Sequence, residues 1–390
     1  MLSNQAILCL APNPWHDIWR NRQHIFSRLA RQNTVLYVEP RVYSLAALRR
    51  GRVDRRDLWS PRLRHEAHGL WLYRHPVWAP RTRRPGLGRL TKRLRWLALR
   101  RAMTRLELHR PITWVFQPRQ AELVGTLGER LVVYHIVDEY TAFRYLSPEE
   151  RRRIQEGERR LLSRADLVIV TSKALLTAKS PLHPRVVWVP NGVDFRRFEQ
   201  VQRGNLSPPE DVAELRRPII GYVGHISVRL DLPLLTEIAR RRPDWSLALV
   251  GSVWEKGCEE ELATLRALPN VHFLGRKRSE EVPRYIFAFD ACLIPYRQGE
   301  EARHISPIKL YEYLAAGKPV VSVEIPALDG FRRVLRTADS PEGFIEALEA
   351  SLKEKDPALV RARQRLAAEN SWENRVEAIS AAVEQALASS

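Results

Sequence analysis

Cysteines and long apolar runs are scarce in this sequence. The chain of 390 residues has three cysteines, Cys9, Cys258 and Cys292, which lie far apart without the spacing of a metal site. This usage argues against a disulfide framework and a zinc site, and it predicts a reducing compartment. No segment approaches the roughly 18 apolar residues of a membrane span, and the apolar run at residues 6–12 is too short for a signal peptide core. We therefore expect a cytoplasmic protein.

Acidic residues are fewer than basic ones, and the basic excess is unevenly placed. The chain has 64 Lys and Arg against 45 Asp and Glu, a net charge of +19. Residues 81–110 contain one acid, Glu107, among many arginines, and the segment at residues 49–64 is similar. Leucines recur at helical spacing within residues 81–110, which predicts a basic amphipathic helix.

Three interpretations of this helix stay open. It is a solvated helix of an Arg-rich protein, a surface that lies on anionic lipid at the inner membrane face, or a nucleic-acid patch. No nucleic-acid-binding motif accompanies the charge, so we predict no nucleic-acid partner.

Short apolar runs alternate with helical stretches along the chain. An apolar content of 44% and the chain length allow two domains with full cores. The first series of predicted strands lies at residues 5–10, 34–40, 113–118, 131–139, 165–172 and 186–192. The second series lies at residues 218–227, 246–252, 271–275, 291–296 and 319–325. The alternation predicts an α/β fold in which helices cover both faces of parallel sheets.

The predicted organisation is two doubly wound, Rossmann-like domains. Residues 1–200 form the first domain with the basic helical insertion, residues 217–360 form the second, and a C-terminal helix in residues 361–390 crosses back to the first. The polar, proline-containing residues 201–218 are the best linker candidate, and PNGVD at residues 190–194 is the turn that leads into it. Ligands should bind in the cleft between the carboxyl ends of the two sheets.

HISPIKLYEYLAAGKPVV, residues 304–321, predicts a helix that contains one acid. Ser306 is a favourable N-cap, Pro307 suits the first helical position and Gly317 ends the helix, so we expect it over residues 307–316. Glu312 has two interpretations: a surface ion pair with Lys309, or a ligand-binding carboxylate.

The helix start offers free amides, a partial positive charge and Lys309, which together suit a diphosphate. Gly221 and Gly224, at the first strand of the second domain, would let backbone approach the ligand closely. Glu312 lies about 8 Å deeper at ~1.5 Å per residue, where a nucleotide's ribose would lie. Its two oxygens could accept both ribose hydroxyls.

These motifs resemble the nucleotide-sugar-dependent glycosyltransferases of the GT-B fold, especially bacterial ones that build surface and exported polysaccharides. The resemblance rests on ADLVIVTSKAL, VVWVPNGVDFRRF, IIGYVGHIS, LPNVHFLGRK and SPIKLYEYLAAGKPVVS, in the family's order from about residue 131 to 325. The first 130 residues match only loosely, through the opening strand and VLYVEP.

The resemblance implies a donor site in the second domain. Glu312 matches the ribose-binding glutamate, Ser306, Pro307, Ile308 and Lys309 match the segment around the donor diphosphate, and Arg276 and Lys277 match positions near the base. Three positions depart from the family pattern. His304 stands where many retaining members have a second glutamate, and His225 with Arg229 follows Gly224 in place of the usual arginine and lysine.

The first domain should bind the acceptor and supply acid–base chemistry. Asp138 and Glu139 end a predicted strand, so one of them should project into the cleft and take the acceptor's proton. His16, Asp17 and Arg20 follow the first strand at the same rim. Two tryptophans in this loop, Trp15 and Trp19, either stack on a sugar or belong to the core.

The sequence therefore predicts transfer of a sugar from a UDP-type or GDP-type donor to a hydroxyl of a glycan, lipid-linked or small-molecule acceptor. Fixed positive charge at the leaving group stands in for a metal, so we expect neither a metal nor a further cofactor. Two rival functions stay open: a nucleotide-sugar epimerase of the same fold, and a basic lipid- or RNA-binding protein on an inherited scaffold.

Overall fold

The computed structural model describes residues 1–40, 62–76, 79, 85–143, 145–204 and 206–389, and element numbers below refer to these residues. The basic segment at residues 49–60 and the start of the basic stretch at residues 81–84 lie outside them. The chain forms two separate sheets, one in each half. The prediction of two doubly wound α/β domains is confirmed.

The first sheet has eight strands in the order β3-β4-β2-β1-β5-β6-β7-β8, parallel except for β3, which is antiparallel to β4. Its strands are β1 (Ala6–Leu10), β2 (Thr34–Glu39), β3 (Leu63–Ala67), β4 (Leu70–Arg74), β5 (Ile112–Val115), β6 (Leu131–Ile136), β7 (Leu167–Val170) and β8 (Val186–Trp188). Its helices are α1 (Asn21–Leu29), α2 (Pro85–Arg105), α3 (Pro148–Leu162) and α4 (Lys173–Lys179). Sequence reasoning missed β3 and β4. The sequence of β3, LRHEA, is that of a half-exposed, charged edge strand without apolar alternation.

The second sheet has six parallel strands in the order β11-β10-β9-β12-β13-β14. They are β9 (Ile219–Val223), β10 (Ser246–Val250), β11 (Val271–Gly275), β12 (Ala291–Ile294), β13 (Val320–Ser322) and β14 (Arg336–Thr337). The helices of this half are α5 (Phe195–Arg203), α6 (Glu210–Ala213), α7 (Leu232–Arg241), α8 (Glu259–Arg266), α9 (Val282–Ala288), α10 (Glu300–Arg303), α11 (Ile308–Ala315), α12 (Pro341–Leu352) and α13 (Pro357–Glu369).

The last helix, α14 (Trp372–Ala388), returns to the first domain. Its apolar side, including Trp372 and Val383, is buried in the same core as Phe26 of α1 and Trp114 of β5. The α/β sequence pattern alone cannot show which domain a terminal helix covers, and here a continuous apolar face decides it.

The chain passes between the domains at two adjacent points. Val189 belongs to the core of the first domain and Val193 to that of the second, and the chain returns between Ala367 and Trp372. A parallel bridge joins Val193 to Ser371, and Trp372 donates its backbone N–H to the carbonyl of Val193 at 2.9 Å. The two crossings therefore form one double hinge.

The linker prediction for residues 201–218 was wrong. Phe198 of α5 and Val212 of α6 are already buried in the core of the second domain, so this segment is part of that domain. The real crossing coincides with PNGVD, which the sequence analysis had placed only at the entrance to the linker.

Within the described residues, no helix is long and apolar enough to cross a membrane. Cys9, Cys258 and Cys292 are buried and unpaired, as expected for small core residues.

Candidate functional site

Helix α11 stands at the carboxyl edge of the second sheet, after the loop that follows β12. It begins at Ile308 with Pro307 as its N-cap, and Gly317, at a φ of +70°, follows its end as predicted. The prediction that Ser306 is the N-cap was wrong. The Ser306 hydroxyl instead accepts the backbone N–H of Asn191 at 3.3 Å, and the Asn191 side chain donates to the Ser306 carbonyl at 2.7 Å.

These two bonds fix the helix start to the hinge, because Asn191 belongs to the crossing segment. Ile308 extends the same contact, since its side chain packs against the core of the first domain. Sequence reasoning assigned PNGVD only a positional role and did not foresee that it holds the helix at which an anion would bind.

Lys309, in the first turn of α11, lies between two tyrosine rings. Its ammonium donates to the Tyr296 hydroxyl at 2.6 Å and lies 4.9 and 4.6 Å from the ring centroids of Tyr222 and Tyr296. A Cβ placed on Gly224 would lie 3.0 Å from its Cε. Lys309 and Gly224 therefore meet at the carboxyl end of β9, where the sequence placed the donor phosphates.

Glu312 is half-buried one turn deeper in α11. Lys309 is turned toward Tyr296, and no described residue forms a hydrogen bond or ion pair with the Glu312 carboxylate. Burial raises its pKa to about 7, although Lys309 and Arg197 act in the opposite direction. The surface ion pair is therefore not formed, and the carboxylate is free to accept hydrogen bonds from a ligand.

The two predicted glycines have different surroundings. Gly224 ends β9 with a φ of +145°, beside Lys309. Gly221 lies within β9, and a Cβ there would lie 2.0 Å from the Phe289 ring. The expectation that Gly221 approaches a ligand was wrong, because its backbone is covered by that ring.

His225 and Arg229 follow Gly224 and line the cleft. His225 is exposed, and its Nδ1 lies 2.8 Å from the Ser252 hydroxyl. The burial of part of its side chain, together with the Arg20 guanidinium, lowers its pKa. Arg229 forms ion pairs with Glu301 and, at 3.4 Å, with Asp138 of the first domain. In this conformation Arg229 is held by carboxylates.

His304 is buried at the start of the segment that leads into α11. Its Nε2 lies 3.1 Å from a carboxylate oxygen of Glu300, and its buried Nδ1 has no hydrogen-bond partner among the described residues. One ring nitrogen is thus unpaired at the position where the sequence resemblance implied a glutamate.

The adjacent residues Arg276 and Lys277 point to different partners. Arg276 lies 3.7 Å from Asp17 of the first domain, across the cleft. Lys277 donates to Asp211 of α6 at 2.6 Å and lies over the Tyr285 ring, with its ammonium 5.0 Å from the centroid. The structure therefore brings Arg276 to the cleft but engages Lys277 in a contact with α6.

Asp138 and Glu139 also separate. Asp138 is partly exposed and faces Arg229 across the cleft. Glu139 accepts from the Thr141 hydroxyl at 2.6 Å and pairs with Lys179 at 2.8 Å. Burial would raise the pKa of Glu139, but these two partners lower it, so Glu139 is the less suitable base.

The loop after β1 carries the other residues predicted at the rim. Trp15 is buried against Tyr37 and belongs to the core, whereas Trp19 is half-buried with the Arg197 guanidinium 5.7 Å from its ring. The exposed His16 has its Nε2 2.6 Å from Arg64 and 3.3 Å from Glu66. His16 is therefore held at the outer rim by residues of β3.

Sequence reasoning missed four residues around the helix start: Tyr222, Tyr296, Arg197 and Asn191. Tyr222 and Tyr296 lie in or just after apolar strands, so in the sequence they look like ordinary core residues. Only the fold shows that they enclose Lys309. Among the described side chains, no group of three or more His, Cys, Asp or Glu stands close enough to hold a metal ion.

Residues 217–354 match the family model described as "Glycosyl transferases group 1". This match covers the second domain. A curated relative, the putative teichuronic acid biosynthesis glycosyltransferase TuaH of Bacillus subtilis (strain 168), is 30% identical over 241 residues. That match covers 58% of this chain and 59% of the relative, so it spans less than two thirds of the relative's length.

Solved structures extend the similarity to the whole chain. Alr3699/HepE of Anabaena, solved with UDP and glucose, has a TM-score of 0.67 and 16% identity over 98% of this chain and 100% of its own. Sucrose-phosphate synthase of Thermosynechococcus elongatus has a TM-score of 0.72 and 18% identity over 99% of this chain and 100% of its own. At these identities the likeness concerns the fold, and the GT-B prediction is confirmed.

Proposed function

We propose that the protein transfers a sugar from a nucleoside diphosphate sugar to an acceptor hydroxyl. The family match of the second domain and the similarity to TuaH support glycosyl transfer. A UDP-type or GDP-type donor is the expected substrate, and Alr3699/HepE, a structural neighbour, was solved with UDP-glucose.

The observation that carries this proposal is the free carboxylate of Glu312 beneath the start of α11. A half-buried acid without a partner is costly in the free protein, and a ligand that donates two hydroxyls would offset that cost. Ribose has two adjacent hydroxyls, and the distance along the helix suits a diphosphate at the N-terminus with ribose deeper.

The leaving diphosphate would bind the amides of Ile308 and Lys309 together with the Lys309 ammonium. Tyr222 and Tyr296 hold this ammonium at the carboxyl end of β9. Fixed positive charge at this position stabilises negative charge that develops as the glycosidic bond breaks. We propose that this arrangement replaces a metal ion, and that His225 and Arg276 contribute to donor binding from the cleft walls.

Asp138 is our proposal for the residue that takes the proton of the acceptor hydroxyl. It lies on the first-domain side of the cleft, opposite the donor helix, and its carboxylate pairs with Arg229. The acceptor would bind between Asp138 and the loop after β1.

We further propose that helix α2 places the protein on the cytoplasmic face of an anionic membrane, where lipid-linked acceptors are found. Leu99, Ala102 and Met103 of α2 are buried against the first sheet, whereas Leu87, Leu90 and Leu97 are 46%, 55% and 41% exposed. Exposed arginines flank these leucines. A second apolar face surrounded by positive charge is typical of a helix that lies on anionic lipid.

Thermal unfolding in the presence of UDP, GDP, ADP and TDP sugars tests the donor proposal. A ligand at 100 times its dissociation constant stabilises the folded state by about 2.7 kcal/mol, which gives a clear rise in Tm. We expect one nucleotide class to raise the Tm, and Glu312→Gln to remove most of the rise. Glu384→Gln, an exposed acid of α14, is the matched control and should leave it unchanged.

Two outcomes would contradict the proposal. Nucleotide-sugar binding that is the same in Glu312→Gln would exclude the ribose role. Conversion of the bound nucleotide sugar to an isomer without any acceptor would indicate an epimerase.

A further inference from the structure

Arg22, on the first turn of α1, carries a buried guanidinium. The residue is 4% exposed, and its buried Nε and Nη1 have no hydrogen-bond partner among the described residues. No described carboxylate forms an ion pair with it, and its guanidinium lies 5.3 Å from the centroid of the Phe116 ring. A buried charge of this kind is unfavourable unless something compensates it.

Two further donors without partners lie beside Arg22. The Nδ2 of Asn21, a residue 3% exposed on the same helical turn, has no acceptor in the described part of the chain. The His135 ring stacks on Phe116 at 5.2 Å, and its Nδ1 accepts from Trp114 at 3.4 Å. The neutral ring then has its proton on Nε2, which is also buried and unpaired.

The residues that carry these donors all lie at the carboxyl edge of the first sheet. Arg22 and Asn21 form the start of α1, where amides are free, while Phe116 and His135 lie at the ends of β5 and β6. A helix N-terminus, a guanidinium and two further unpaired donors make a set that only an acceptor-rich group can satisfy.

We propose that this donor set binds an anionic group of the acceptor, a carboxylate or a phosphate. The inference rests on the proposed function, in which the first domain binds the acceptor, and it narrows the acceptor to sugars or glycans that carry negative charge. Asn13 and Gln117 follow β1 and β5 at the same edge, and no described residue bonds to the buried carbonyl oxygens of their side chains. They can accept hydrogen bonds from the hydroxyls of such a sugar.

The site is distinct from the proposed diphosphate site. Its residues come from α1, β5 and β6, whereas Lys309 and Glu312 come from α11. The fork of two parallel N–H groups in a guanidinium can bond both oxygens of a carboxylate or phosphate at once. The ammonium of Lys309 does not have this planar geometry.

Thermal shift with small anions tests this site in the whole protein. The probes are inorganic phosphate and D-glucuronate, with D-glucose as the neutral control, and the variants are Arg22→Met and Lys309→Met. We expect glucuronate to raise the Tm of the wild-type and Lys309→Met proteins, and to leave that of Arg22→Met unchanged. Phosphate should lose most of its effect in Arg22→Met, and glucose should have no effect on any of them.

A second variant keeps the proposal testable if Arg22→Met does not fold. Arg22→Lys keeps the charge but loses the fork, so its dissociation constant for glucuronate should rise at least about tenfold. The proposal is overturned if glucuronate does not bind the wild-type protein, if Arg22→Lys binds it with unchanged affinity, or if only Lys309→Met loses the response.

Nucleotide-sugar binding separates this inference from the proposed function. Arg22→Met should bind the nucleotide sugar as the wild type does. If no nucleotide sugar binds the wild type while the glucuronate response still depends on Arg22, the proposed function fails and the anion site remains.

Discussion

Arg229 of the second domain pairs with Asp138 of the first across the cleft, with 3.4 Å between the guanidinium and the carboxylate. The pair joins a residue predicted to bind the donor to a residue predicted to act on the acceptor. Arg229 also pairs with Glu301, so its position does not depend on Asp138 alone. Loss of Asp138 should therefore leave the donor side of the cleft in place.

Asp138→Asn tests this separation. As the general base, Asp138 should contribute at least about a hundredfold to kcat, while the dissociation constant of the donor should stay the same. Glu139→Gln is the matched control: it disrupts the pair with Lys179, so it should lower the Tm but retain kcat per folded molecule. Equal losses of kcat in Asp138→Asn and Arg229→Gln would instead assign Asp138 a purely positioning role.

The pKa of Glu312 predicts how stability depends on pH. Burial raises this pKa to about 7, compared with about 4.3 in an unfolded chain. Between these pH values the folded protein retains a proton that the unfolded chain has lost, so the free energy of unfolding falls as pH rises. Without ligand, Glu312→Gln should match the wild type near pH 4 and have the higher Tm above pH 7.

Donor affinity should change with pH in the opposite direction. The charged carboxylate is the form that accepts two hydroxyls, so nucleotide-sugar affinity should rise from pH 6 to pH 8 in the wild type and stay flat in Glu312→Gln. Calorimetric titrations at both pH values measure this change. An equal rise in both proteins would place the titrating group elsewhere.

We predict that a side chain at Gly221 causes a packing defect next to the site. A Cβ at this position would meet the Phe289 ring at 2.0 Å, so Gly221→Ala should lower the free energy of unfolding by about 1–3 kcal/mol. Gly330→Ala is the control, because nothing lies within 4 Å of its Cβ position. Chemical denaturation measures both, and equal stabilities would contradict the packing argument.

Helix α2 predicts binding to anionic vesicles. Each basic residue near such a surface contributes about 1 kcal/mol, so Arg89→Glu with Arg93→Glu should weaken binding to phosphatidylglycerol vesicles at least about tenfold. Arg361→Glu with Arg365→Glu, an equal charge change at the same spacing on α13, should have little effect. Equal weakening in both pairs would indicate nonspecific attraction, and tighter binding to RNA than to vesicles would favour a nucleic-acid patch.

Local signals in the sequence predicted α11 well. Pro307 and Gly317 set its limits within a residue or two. Because Glu312 follows Lys309 by three residues, helical geometry alone places it about one turn deeper. The alternation of strands and helices predicted both sheets, because buried parallel strands have strong apolar runs. The edge strands β3 and β14 lack such runs and were missed, and the buried strand β4 was missed although its sequence is apolar.

Contacts between distant residues could not be predicted in this way. Asn191 binds Ser306 across 115 positions, and Lys277 turns to Asp211 although its neighbour Arg276 faces the cleft. In the sequence, Arg22 looks like an ordinary polar residue of an amphipathic helix, and only the fold shows that it is buried. Side-chain partners of this kind depend on tertiary packing, which composition and periodicity do not encode.

A crystal structure of the protein with its nucleotide sugar tests the central claim most directly. We predict that both ribose hydroxyls donate to the Glu312 carboxylate at 2.5–3.0 Å, with the diphosphate at the amides of Ile308 and Lys309. A nucleotide bound elsewhere, or a ribose whose hydroxyls do not reach Glu312, would contradict the account.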